Sequence, residues 1–194
     1  MSKTKTIDLT SGPILKTLAE LALPIMASSL LGTAYNITDM AWIGMLGSKA
    51  VAGVGVGGMY VWLSQGLVAL PRMGGQVNVA QACGRGDYEQ ARGYAASALR
   101  LTFLLGILFA AVCIVFIHPL LGFFNLGDAE TYTAAKLYTL ITCGLILFSF
   151  LNLTLTGLST AQGDSKTPLM ANLLGLVGNC LLYTSPSPRD AHES

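Results

Sequence analysis

Long apolar runs separated by short polar turns set the plan of this chain. The first run, Leu15 to Ile37, has Glu20 near its start and Asp39 just past its end. At 1.5 Å per residue it covers about 35 Å, enough to cross the ~30 Å hydrocarbon core of a bilayer with some tilt. Pro24 lies inside it. A proline there removes one backbone hydrogen bond and invites a bend, which lipid-embedded helices tolerate where a neighbour covers the freed carbonyl. Gly44 to Lys49 reads as a tight turn. Ala50 to Leu70 is the second segment, in which Gly53, Gly55, Gly57 and Gly58 let helix backbones approach closely. It is expected to continue past Pro71 and Arg72 through Gln76, Asn78 and Gln81 to Gly84, long for one span and therefore tilted or kinked at Pro71.

Cys83 to Asp87 forms a polar turn, and Tyr88 to Leu99 reads as the amphipathic start of a third helix. Leu101 to Ile117 carries no charge and is the clearest span, with Pro119 expected to close it. After a turn at Asn125 to Asp128, Ala134 to Leu158 is expected as one fourth span dotted with Asn152, Thr154 and Thr156. Gln162 to Ser165 turns again. Lys166, Thr167 and Pro168 open a fifth helix, with proline near the first position, where its missing N–H costs nothing. Leu169 to Asn179 continues it with Asn172 and Asn179 embedded.

Composition agrees with this plan. Charged residues are 11% of the chain and apolar residues 53%, against roughly 25% charged in a soluble domain, so an all-α integral membrane protein is expected, with the lipid bilayer as its surroundings. The net charge of +1 points to no nucleic-acid partner. Its distribution is more telling. With the N-terminus, residues 1–13, in the cytoplasm, that side holds Lys3, Lys5, Lys16, Arg85, Arg92 and Lys166, while the outer loops hold Lys49, Lys136, Asp128 and Glu130. The basic excess favours that orientation. Arg72 fits neither loop and is expected to snorkel to the interface or to face a polar cavity. Four cysteines without close spacing argue against a metal site or redox pair; thiols in apolar segments act as small hydrophobes.

From Cys180 the chain reads Cys-Leu-Leu-Tyr-Thr-Ser-Pro-Ser-Pro-Arg-Asp. Two Ser-Pro steps and two charges interrupt a helix that needs about twenty residues to cross. Residues 180–190 resemble the translation of a transposase sequencing adapter, so 180–194 is expected to be a tail foreign to the protein. A Pro-rich disordered terminus is the alternative.

Five pieces in order, Leu21-Ala-Leu-Pro24, Tyr35-Asn-Ile-Thr-Asp39, Trp42-Ile-Gly44, Ala80-Gln81 with Gly84-Arg-Gly-Asp87, and Ala161-Gln-Gly-Asp164 with Thr167-Pro168, resemble the multidrug and toxic compound extrusion (MATE) antiporters. The resemblance covers about Ile14 to Asn179. It implies a twelve-helix bacterial inner-membrane protein of two six-helix bundles, of which residues 14–179 supply four helices and the start of a fifth, the C-terminal half being a missing partner. It implies export of small organic, often cationic, drugs in exchange for protons or sodium, with no other cofactor, by a protein that is not an enzyme; this piece by itself is not expected to transport.

An acidic group at the end of an apolar span is costly to keep ionised unless water or a cation accompanies it, so Asp39 has the properties of an ion switch. Periodicity alone also allows an interfacial cap; the resemblance assigns ion coupling to Asp39 and Asn179, with sodium near Asp39 the one metal ion in question and Pro24 a hinge. Many members carry an aspartate four residues after the asparagine, where this chain has Tyr183. Tyr35, Asn36, Tyr138, Asn152, Thr156 and Asn172 are candidates for the substrate pathway, while polar residues in apolar helices also act as interhelical glue. Arg85 and Asp87 read as a structural turn, His118 as interfacial, and Trp42 and Trp62 as boundary or packing residues. Three rivals are a lipid or oligosaccharide-precursor flippase of the same superfamily, which calls for a more cationic cavity, a membrane-embedded enzyme, which calls for a catalytic cluster not seen here, and a non-transporting membrane subunit.

Overall fold

A chain in hydrocarbon has no water to satisfy its N–H and C=O groups, so its spans must be helices that close their own hydrogen bonds. The computed structural model describes residues 14–45 and 47–184, and among these there are seven helices and no strand. They are α1 (Ile14–Met45), α2 (Ser48–Gly84), α3 (Tyr88–Val115), α4 (Ile117–Gly122), α5 (Ala129–Gly144), α6 (Ile146–Ala161) and α7 (Lys166–Thr184). Helices α1, α2 and α3 are each long and apolar enough to cross a membrane, and α5 and α6 are so only taken together, as a pair bent by 46°. The N-terminal segment assigned to the cytoplasm and the tail beyond Thr184 lie outside the described residues.

The chain divides into two units, one holding α7 and α1 up to Thr38, the other Asp39–Gln162. In the second unit α2, α3, α5 and α6 pack through small residues. A Cβ on Gly57 would lie 2.5 Å from Tyr138 Cδ1 and 2.8 Å from Thr139 Oγ1, and one on Gly75 only 2.6 Å from Ala98 Cβ. One on Gly106 would lie 2.8 Å from Leu147 Cδ1. Backbone approach of this kind supplies the dispersion contact that holds helices together where there is no hydrophobic drive between them. Apolar clusters lie along the seams: Val79, Ala82, Ala91, Leu158 and Ala161 at one end, Val68, Ile146 and Phe150 in the middle, and Ile117, Leu121 and Ala135 at the other. Buried Thr102 and Thr154 join α3 to α6 by a 2.9 Å hydroxyl pair.

The turns fall where the sequence places them. Gly86 takes φ 75°, Asn125 φ 44° and Gly163 φ 79°. Asp87 caps α3 by accepting from the Gln90 amide at 3.0 Å, while Arg85 Nη2 donates to Gln90 Oε1 at 2.6 Å, so the polar turn is structural. Asp164 caps α7, its Oδ1 accepting from the amides of Lys166 and Thr167 and its Oδ2 from the Thr167 hydroxyl. His118 Nδ1 meets Tyr132 Oη at 2.8 Å with the rings stacked.

Two expectations need correction. The fourth span is not one helix from Ala134 to Leu158: the backbone leaves the helical path at Leu145 (φ −98°, ψ 7°), just after Gly144. Apolar residues continue on both sides, so only that glycine marks the break. Pro119 does not close the third span. The helix ends at Val115 and Pro119 is the third residue of α4, where its absent N–H has no partner to lose; the break falls at Phe116, because a continuous helix would set the proline ring against the Val115 carbonyl. By contrast, α2 runs unbroken past Pro71.

Candidate functional site

Helix α1 carries Pro24, Tyr35, Asn36 and Asp39 along one continuous rod. Pro24 is half-buried and fifteen residues, about 22 Å of helix, ahead of Asp39, which is half-buried near the end of α1. Tyr35 and Asn36 are exposed. Thr33 and Thr38 return their hydroxyls to carbonyls one turn back, at 3.0 and 2.9 Å, so these two hydroxyl protons are paired within the helix. In the same unit Asn172 of α7 donates its Nδ2 to Ser28 Oγ. Asn172 therefore joins two helices, the glue role open to it from the sequence, and Ser28 is its partner. Asn179 lies on α7 with its side chain outside the described residues, as does that of Tyr183. Asp39 belongs to one unit and Asn179 to the other.

In the second unit the polar candidates separate at the bend. Tyr138 on α5 covers Gly57 of α2. Asn152 and Thr156 lie on α6, where they form part of a longer stripe. Ser149, Asn152, Thr156 and Thr160 recur at intervals of three and four residues and so share one helix face. Ser149 and Asn152 are exposed, Thr156 and Thr160 half-buried. Thr160 donates its hydroxyl to the Thr156 carbonyl at 2.9 Å. The buried face of α6, by contrast, presents Phe150, Thr154, Gly157 and Leu158 to its neighbours.

Such a stripe on an apolar helix is costly against lipid and fits a water-filled passage or a polar partner. Its flank is charged. A Cβ on Gly157 would sit 3.1 Å from Arg72 Cγ and 3.4 Å from Gln76 Oε1, so the half-buried Arg72 stem crosses α6 beside the stripe. Ser149 and Thr160 are functional candidates that only their spacing reveals, whereas the Arg72 flank has no signal in the sequence. A cluster of charges lies at the end of the unit assigned to the outer loops. Lys49 Nζ lies 3.2 Å from Asp128 Oδ2 and 2.5 Å from Glu130 Oε2. The Lys49 ammonium holds the Asp128 carboxyl below the usual carboxylate range. Trp62 is 78% exposed on α2, as a membrane-facing indole would be.

Known proteins resemble the chain in sequence and in fold. The chain is 28% identical over 158 residues to the probable multidrug resistance protein NorM of Thermotoga maritima, which covers 81% of this chain and 34% of that protein. It is 31% identical to the probable multidrug resistance protein NorM of Pseudomonas putida, over 86% of this chain and 36% of that one. A FAD transporter of Shewanella oneidensis is 24% identical over 90% of this chain and 38% of its own length. Among solved structures, a MOP superfamily transporter from Pyrococcus furiosus superposes with TM-score 0.78 at 25% identity, covering 91% of this chain and 39% of that one. An outward-facing MATE transporter superposes with TM-score 0.77 at 25% identity and the same coverage. The chain thus spans between a third and two fifths of the length of these relatives. The MatE family model matches residues 24–183, and this multi-pass α-helical membrane protein belongs to that family of transporters.

Proposed function

We propose that the protein is a proton- or sodium-coupled antiporter that exports organic, often cationic, drugs or toxins by alternating access, this chain contributing part of its first helical bundle. The observation that carries the reading is a carboxylate, Asp39, half-buried in an apolar membrane helix. Charged, it can hold a proton-exchangeable cation or sodium; neutralised, it is cheap to bury, and the two states favour different helix packing. Asn179 is assigned as its coupling partner, with Pro24 as the place where α1 bends between states. Tyr35, Asn36 and Tyr138, together with the α6 stripe of Ser149, Asn152, Thr156 and Thr160, are assigned to the substrate path. The N-terminus is placed in the cytoplasm of a bacterial cell on the strength of the basic residues at that end.

The test uses the complete transporter. Asp39→Asn is expected to reduce drug resistance to that of cells lacking the protein while leaving membrane insertion intact. Undiminished resistance with normal insertion would overturn the coupling role. Arg72 beside the α6 stripe favours one second reading, export of an anionic organic substrate. In that case Arg72→Gln abolishes export, whereas efflux of a cationic drug would survive it.

A further inference from the structure

Helices α3 and α6 run antiparallel, with Thr102 bonded to Thr154 and Gly106 set against Leu147 and Phe150. Along the outside of this seam lies a groove of about 600 Å³ lined by Leu99, Arg100, Phe103, Leu104, Leu151 and Leu155. Every lining residue but Arg100 is apolar. The antiparallel register sets Arg100 and Leu155 at the end nearest the α2–α3 turn, and Leu104 with Leu151 at the deeper end. A helical side chain leans toward the N-terminus of its own helix, so the exposed Arg100 extends toward that turn and away from the leucines. The charge-free part of α3 begins at Leu101, which puts Arg100 at the level where the helix enters hydrocarbon. Arg92 lies two turns further toward the headgroups, about 12 Å along the axis. Among the described residues neither arginine forms an ion pair.

We propose that this groove binds one anionic phospholipid, an acyl chain lying along Phe103, Leu104, Leu151 and Leu155 and the phosphate resting on the Arg100 guanidinium. Charge complementarity selects the occupant. The planar guanidinium fork matches phosphate oxygens, and an anionic headgroup adds a second charge that Arg92 is placed to meet. A zwitterionic lipid fills the same groove without that gain. The site stands apart from the transport reading, since it needs only that α3 and α6 face the bilayer along this seam.

The full chain, reconstituted in nanodiscs of equal phosphatidylglycerol and phosphatidylcholine and then taken into detergent, reports the site by mass spectrometry of the lipid it retains. One phosphatidylglycerol per chain is expected, enriched about fivefold over the bulk ratio, the size of one arginine's effect near a membrane surface. Arg100→Gln should return the retained lipid to the bulk ratio. Leu155→Trp, which fills the groove and spares the charge, should lower the retention of both lipids. Arg85→Gln, in a turn away from the groove, should leave the enrichment unchanged. No retained lipid, as when another protein segment or a second copy covers the groove, overturns the proposal. So does retention at the bulk ratio, or enrichment that survives both Arg100→Gln and Leu155→Trp in protein with native circular dichroism.

Discussion

Helices α2, α3, α5 and α6 meet through glycine, alanine and threonine at distances that leave no room for a methyl group, whereas α1 and α7 carry their polar residues with much less burial. Arrangements packed at the first kind of seam are discrete: a neighbour fits or it must move as a body. Side chains of the second kind can exchange partners without disturbing a core. Asp39, assigned to coupling, is of the second kind, and the residues that fix helix register are of the first. A transporter needs both, a frame that stays whole and groups that change state upon it.

That contrast can be broken at either side. The largest functional effect is expected at Asp39, where Asp39→Asn removes coupling yet leaves the thermal stability of the purified protein nearly unchanged. The frame should behave in the opposite way. Gly75→Val and Gly57→Leu are expected to destabilise by about 1–3 kcal/mol each through overpacking against Ala98 and Tyr138, seen as a lower unfolding midpoint in detergent. Gly32→Ala in α1, with nothing within 4 Å of the added carbon, should cost nothing measurable. Equal effects at the two kinds of glycine would erase the distinction.

A smaller effect sharpens it. Thr102→Val and Thr154→Val should each weaken the α3–α6 seam, and a double-mutant cycle should return a coupling of about 0.6 kcal/mol, the usual size for a membrane-buried side-chain hydrogen bond. The smallest effect lies outside the bilayer. Because the folded-state pKa of Asp128 is depressed by Lys49, its contribution to stability is present above the ordinary carboxylate value near pH 4 and is lost as the pH falls through the folded value. Asp128→Asn should therefore lower the melting temperature slightly at pH 7, and the difference should vanish in acid.

Much of this frame could be read from residue order, because membrane-spanning helices announce themselves by long charge-free runs and their ends by glycine and aspartate. Gly86, Asp87 and Gly163 are turns for that reason. The break at Leu145 was hidden because leucine, isoleucine and phenylalanine surround it and periodicity does not change across it. Contacts between distant residues were equally invisible: Thr102 with Thr154 is 52 residues apart, Lys49 with Glu130 is 81, and Asn172 with Ser28 is 144. Of the site, the polar identities of Asn152 and Thr156 and their helical spacing with Ser149 were legible, but that Arg72 borders their face depends on how helices dock.

Helix α2 has 37 residues, a rod of about 55 Å. Even at a 40° tilt, the upper end of what membrane helices adopt, it rises about 43 Å along the bilayer normal, well beyond the ~30 Å hydrocarbon core. Gln76, Asn78 and Gln81 show which end protrudes. The final turns of α2 are thus a handle standing in the headgroup layer and continuous with the spanning rod. A force applied there by a ligand, a chemical tag or a binding protein would be transmitted to the buried helix as torque, with no slack linker to dissipate it.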